Sequence, residues 1–155
     1  MSVPDDGAEA RAQGWRALAG LYSRIEGRLE RALQSAHGLS VTEYSVLDVL
    51  SREPGWHMRM QQLAGAVVLS QSATTRLVTR LEQQGLLTRY LCADDRRGIY
   101  TQVSPAGREL LERARPTHDE ALRAELAEAA ALPELAPLVR VLQAPPEAAP
   151  APVGA

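Results

Sequence analysis

Phenylalanine and lysine are both missing from this chain, and cysteine occurs once, at Cys92. With aromatic residues at 4 %, a core has to be built from Leu, Val and Ala. Ala and Leu carry the strongest helix propensity, so helices are favoured. A lone thiol forms no intrachain disulfide and cannot by itself hold a zinc ion. No run of 18 apolar residues occurs, which excludes a membrane-spanning helix. Met1–Gly7 holds two acids and no basic, apolar leader, so a soluble, cytoplasmic chain is expected. With lysine absent all 17 basic residues are arginine, a bias to which no function is attached.

What is present is 155 residues at 45 % hydrophobic content, enough for one domain with a core, with or without tails. The net charge of −2 taken alone argues against nucleic acid. It is unevenly spread. Between Arg59 and Arg97 six arginines (Arg59, Arg76, Arg80, Arg89, Arg96, Arg97) face three acids (Glu82, Asp94, Asp95), a local +3 that leaves −5 elsewhere. A central positive segment between acidic flanks suits a protein with one anion-facing surface.

Periodicity predicts a helix from Ala8 to His37, with Trp15, Leu18, Tyr22, Ile25, Leu29, Ala32 and Ala36 on one narrow stripe and Gly38 at its end. A helix this long with a single stripe usually finds a partner helix outside its own compact unit. Ser40-Val41-Thr42-Glu43 reads as a capping box, in which Glu43 reaches back to the cap, opening a helix stopped by Pro54-Gly55. A brief helix is expected from Met60 to Val67. Another, capped by Ser70 and ended by Gly85, runs to Gln84 with Ala73, Leu77 and Leu81 inward. The period then changes to two: Leu87–Cys92 and Ile99–Val103 read as a hairpin around a polar turn, Asp94–Gly98. Ser104-Pro105 caps a long helix to about Ala130, which Pro116 should bend, and 132–142 reads as a last short helix. The ends, 1–7 and the Pro/Ala-rich 144–155, are expected to be disordered.

Helix-turn-helix followed by a β-ribbon is a winged helix, so the fold class is mainly α with a small β-hairpin wing. The helix 70–84 shows Gln71, Ser72, Thr75, Arg76 and Thr79 on its outer side and no acid before Glu82. Ordinary solvated faces mix acids with bases; short hydroxyls and amides beside an arginine instead allow close approach to base edges in a major groove. Adjacent arginines on a ribbon tip, Arg96 and Arg97, suit the focused negative potential of a minor groove.

Leu63-Ala64, the run Leu69 to Glu82, Gly85-Leu86-Leu87-Thr88-Arg89, Asp95-Arg96-Arg97-Gly98 and Val103 to Gly107 together resemble the MarR family of bacterial transcription regulators. The resemblance spans about Leu18 to Leu142. It implies a homodimeric winged-helix repressor on a pseudo-palindromic operator of double-stranded DNA, released by a small-molecule effector. By position it implies DNA contacts from Gln71, Ser72, Thr74, Thr75, Arg76, Arg96 and Arg97, with Arg80 supporting the helix or touching the backbone, and an Arg89–Asp95 pair stiffening the wing. It further implies a winged-helix domain over 8–143, in which 8–37 and 105–143 supply dimerisation helices and 40–104 the DNA-binding lobe.

The effector is left unidentified. Trp15, Arg16, Tyr22, His37, Tyr44 and His118 are of suitable type, though each is more often core, helix surface or interface than a ligand contact. Ser45 after Tyr44 disfavours urate, for which some relatives carry an acid at that position. Cys92 on the wing strand reads as inert packing, and His37, His57 and His118 lack metal-ligand spacing, so no metal or cofactor is expected. No phosphate loop, nucleophile elbow or catalytic carboxylate pair occurs, so no enzyme is expected. A winged-helix adaptor that binds protein without DNA is the alternative reading.

Overall fold

The computed structural model describes residues 6–145, and for Asp95, Arg96 and Arg97 the backbone only. Expectations of disorder at 1–5 and 146–155 lie outside the described residues. Asp6 and Gly7, expected in the N-terminal tail, instead open the first helix. The elements are α1 (Asp6–His37), α2 (Val41–Ser51), a 3₁₀ turn (Pro54–Trp56), β1 (His57–Arg59), α3 (Met60–Ala66), α4 (Gln71–Gln83), β2 (Leu87–Cys92), β3 (Asp95–Val103), α5 (Pro105–Ala129) and α6 (Ala136–Gln143). They form two compact units, one of residues 26–122 and one of the described residues up to 25 with those from 123 onward. No helix among the described residues is long and apolar enough to cross a membrane.

In the 26–122 unit α1 ends where Gly38 takes φ +65, a conformation that glycine adopts without cost. Ser40 caps α2, its Oγ accepting from the Glu43 N–H at 3.1 Å. The reciprocal half of the expected capping box does not form. Glu30 of α1 takes the Val41 N–H at 2.9 Å instead, and the Glu43 side chain is buried. Leu33, Leu39, Leu47, Leu50, Leu63, Leu81, Leu87 and Leu111 are fully buried, so the core is aliphatic, as a chain without Phe requires.

The sheet has three strands and not the two expected, in the antiparallel order β1-β3-β2, with His57–Arg59 pairing Gln102 to Tyr100. A three-residue edge strand is too short to show a period. The wing turn is tighter than expected, at Ala93-Asp94, because β3 already begins at Asp95 opposite Cys92. The register slips between Leu91, which faces Ile99, and Cys92, so residues 96–98 are extra on β3. Gly107 lets the start of α5 pass the α4–β2 junction: a Cβ there would overlap the Leu86 carbonyl. Pro116 neither breaks nor ends α5, which runs on to Ala129; it sits on the exposed side of the helix.

The other unit buries Leu21, Leu126, Ala129, Leu135 and Val139. Arg24 forms an ion pair with the buried Glu125 carboxylate, Nε to Oε1 2.7 Å. The same unit leaves Trp15, Leu18, Tyr22, Val141 and Leu142 exposed, Trp15 at 69 % and Val141 at 73 %. The last helix begins at Ala136, four residues later than expected, because 130–135 form turns.

Candidate nucleic-acid interface

α4 is positioned by its cap and its apolar stripe. Ser70 Oγ accepts from the Ala73 N–H at 3.2 Å. Thr74, Leu77, Val78 and Leu81, at helical spacing, are buried. Leu77 and Leu81 are inward as expected, and the difference is at one position: Ala73 is half-buried, and Thr74, expected at the groove, is fully buried. Its hydroxyl tolerates burial because it donates to Ser70 O at 2.9 Å. Thr74 therefore leaves the set of candidate DNA contacts.

The outward side holds Gln71, Ser72, Thr75, Arg76 and Arg80, all exposed, with Thr79 half-buried among them. Thr75 Oγ1 donates to Gln71 O at 2.9 Å and Thr79 Oγ1 to Thr75 O at 2.8 Å. With its hydrogen engaged in the helix, the exposed Thr75 hydroxyl keeps acceptor lone pairs, while Thr79 Oγ1 also accepts from Arg89. Gln71 Nε2 donates to Gln61 O of α3 at 3.3 Å, leaving its Oε1 to accept. Arg76 has no ion-pair partner among the described residues and stands with its five donors available. Arg80 is tied inward: its Nη2 lies 3.7 Å from Oε1 of the buried Glu43.

Among the described residues Arg89 is held by Glu82 of α4, while the side chain of its expected partner, Asp95, lies outside the described residues. Arg89 Nη2 meets Glu82 Oε1 at 3.0 Å, its Nε meets Glu82 Oε2 at 3.2 Å, and its backbone N–H donates to the same Oε2 at 3.1 Å. A fourth bond runs from Nη2 to Thr79 Oγ1 at 3.3 Å. The side-chain hydrogen bonds from Arg89 hold the Glu82 carboxyl below its ordinary pKa, and Glu82 in turn raises that of Arg89. Glu82 is the only acid of α4; paired in this way, it leaves no free carboxylate on the helix. The side chains of Asp95, Arg96 and Arg97 lie outside the described residues.

The three histidines and all the tyrosines but Tyr22 gather in two places that linear spacing did not reveal. Tyr44 of α2 stacks on His118 of α5, ring centroids 4.3 Å apart and 8° from parallel. One residue earlier, Thr117 Oγ1 bonds His37 Nε2 at 2.8 Å. Burial, then the nearby carboxylates of Asp48 and Asp119, push the Tyr44 hydroxyl up to about 12. Of the six residues of effector-suited type, three therefore meet at α5. Trp15, Arg16 and Tyr22 belong to the other unit, where Arg16 pairs with Glu9 at 3.3 Å. The second cluster lies on the sheet: His57 Nδ1 bonds the Tyr90 hydroxyl, Tyr90 stacks against Tyr100, and Arg59 Nε donates to the Tyr100 hydroxyl at 3.0 Å. No group of three or more metal-ligating side chains occurs among the described residues.

A family profile described as MarR family matches residues 37–98. The HTH-type transcriptional regulator YkoM of Bacillus subtilis is 31 % identical over 119 residues, 76 % of this chain and 75 % of that one. A crystal structure of Sco3205, a MarR family transcriptional regulator from Streptomyces coelicolor in complex with DNA, superposes with a TM-score of 0.74 at 26 % identity. The match covers 92 % of this chain and 88 % of that one. CouR from Rhodococcus jostii RHA1, bound to p-coumaroyl-CoA, superposes with a TM-score of 0.61 at 28 % identity over 78 % of each chain.

Proposed function

The chain belongs to the MarR family of transcription regulators, and from that premise we propose that it works as a homodimeric repressor on a pseudo-palindromic operator. The observation that carries the reading is the outward face of α4: hydroxyls, an amide and the unpaired Arg76, with its one acid neutralised by Arg89. Such a face enters a major groove without repelling phosphate, and Arg76 is suited to a bidentate contact with guanine. Gln71, Ser72 and Thr75 would read or flank the same base steps, while Arg96 and Arg97 would reach the adjacent minor groove and backbone. Arg80, held near Glu43, would serve the helix more than the bases. The DNA complex of Sco3205 supports this mode of binding.

Dimerisation would use the terminal unit, whose exposed Trp15, Leu18, Val141 and Leu142 form the apolar surface a partner helix needs. Two subunits would then present two α4 helices about one duplex turn apart, on the order of 34 Å. Release would come from a small molecule that prefers a dimer with mismatched helix spacing; only unequal affinity for the two conformations shifts the balance. The p-coumaroyl-CoA complex of CouR supports ligand control in a related structure. The Tyr44–His118 stack is the candidate ligand contact in the 26–122 unit. The protein would act as a regulator in the cytoplasm and carry no catalytic centre.

The test is selection of duplexes from random-sequence DNA by the purified protein, followed by a gel shift with the selected duplex. Arg76→Ala is expected to weaken binding by about 1–3 kcal/mol, roughly 5- to 150-fold, and to relax sequence preference. Absence of any retained duplex at moderate salt would contradict the reading and favour a protein-binding adaptor.

A further inference from the structure

We propose that Glu82 is a positioning residue for DNA binding: by gripping Arg89 it sets the angle between α4 and the wing so that both reach one duplex. The inference rests on the DNA-binding reading above.

Only Gln84-Gly85-Leu86 joins α4 to β2, with Gly85 at φ +75. That junction is tied at its base, where the Leu86 N–H donates to Leu81 O at 2.9 Å and Ser104 Oγ donates to Gly85 O at 2.6 Å. Bonds at the base of a ribbon restrain its tilt poorly. The Glu82 carboxylate acts further along β2 and receives three donors, one from the Arg89 backbone and two from its guanidinium. Because these donors come from different parts of the residue, the grip resists both a swing of β2 away from α4 and a roll about its own axis. The hydrogen bond to Thr79 carries the link onto the face that holds Thr75 and Arg76.

The lever is long. From Arg89 to the Ala93-Asp94 turn is about 15 Å at the rise of a strand. A swing of about 10° at the base therefore moves the tip by roughly 2–3 Å, a large share of a minor groove about 6 Å wide. The two side chains are 29 % and 36 % exposed, and pairs so exposed contribute little to global stability. Geometry is their main consequence. A carboxylate on a phosphate-facing helix would by itself oppose binding, and here the same guanidinium that it orients neutralises it.

The experiment measures binding of a duplex selected by the wild-type protein as a function of salt, with Glu82→Gln and Arg89→Lys beside wild type and a thermal melt of each free protein. Both variants are expected to bind about tenfold more weakly. The slope of log affinity against log salt should become shallower by about 2, as each wing of a dimer ceases to neutralise one phosphate. The melts should stay close to wild type. Combining Glu82→Arg with Arg89→Glu, which reverses the pair, should recover part of the slope. Should Glu82→Gln fail to fold, Arg89→Lys carries the same readout. Variants that keep the wild-type slope, whatever their affinity, overturn the proposal. A wild-type protein that selects no duplex overturns the DNA reading itself, and this inference with it.

Discussion

The two units of the chain treat their apolar residues in opposite ways. In the 26–122 unit most of the large aliphatic side chains from Leu33 to Leu111 are buried, with Val68, Leu91 and Ile99 exposed, and what remains outside on α4 is polar. In the terminal unit Trp15, Leu18, Tyr22, Val141 and Leu142 stay exposed on helices that are otherwise well formed. A long helix needs no tertiary partner to form its backbone bonds, but its apolar stripe does need one to leave water. One unit closes its own core, and the other is built with surface to cover.

The largest test of that contrast falls on the closed unit. Leu47 is fully buried in α2, and Leu47→Ala is expected to cost about 2–5 kcal/mol of stability, read from denaturant unfolding. A loss under about 1 kcal/mol would show that the core is looser than its burial indicates. In the open unit Leu18 is 48 % exposed, so Leu18→Asp should leave unfolding of the isolated subunit almost unchanged. Its effect should appear in association, with the dimer weakened by roughly 2 kcal/mol or more, about 30-fold, in sedimentation. An unchanged sedimentation profile would mean that this surface is not where copies meet.

The smallest effect sharpens the interior of the closed unit. Tyr44 ionises near 12 in the folded chain, above its ordinary value of 10.0. A raised value favours the neutral form. The contribution of Tyr44 is therefore fully present below about pH 10 and is lost as pH climbs toward about 12. Burial raises Tyr90 as well, so absorbance titration of the tyrosinate band should show a spread of transitions, and Tyr44→Phe should remove the one near about 12. Titration of all tyrosines together near pH 10 would place Tyr44 in solvent.

Much of the closed unit was legible in sequence because its signals are local. Ser40 and Ser70 cap where hydroxyl and helix start coincide, Gly38 and Gly85 stop helices with positive φ, and the 3.6-residue stripes of α2 and α3 point inward. The errors have local causes too. Ala73 looks more apolar than Thr74, yet a threonine whose hydroxyl bonds its own helix packs well, and the true stripe is 74-77-78-81. β1 carries too few residues to show alternation. Spacing did not single out the Arg89–Glu82 pair, because its two members lie on different elements, a helix and the strand after it. The stack of Tyr44 on His118 joins residues far apart in the chain, and no window of sequence displays it.

The central claim is that the outward face of α4 and the wing grip one side of a duplex in two copies. Hydroxyl-radical footprinting of a selected duplex tests it most directly. Two protected patches are expected, centred about 10 base pairs apart on one face of the helix, and both should fade in Arg76→Ala at a protein concentration that just saturates with wild type. A single patch, or protection that survives that substitution unchanged, would contradict it.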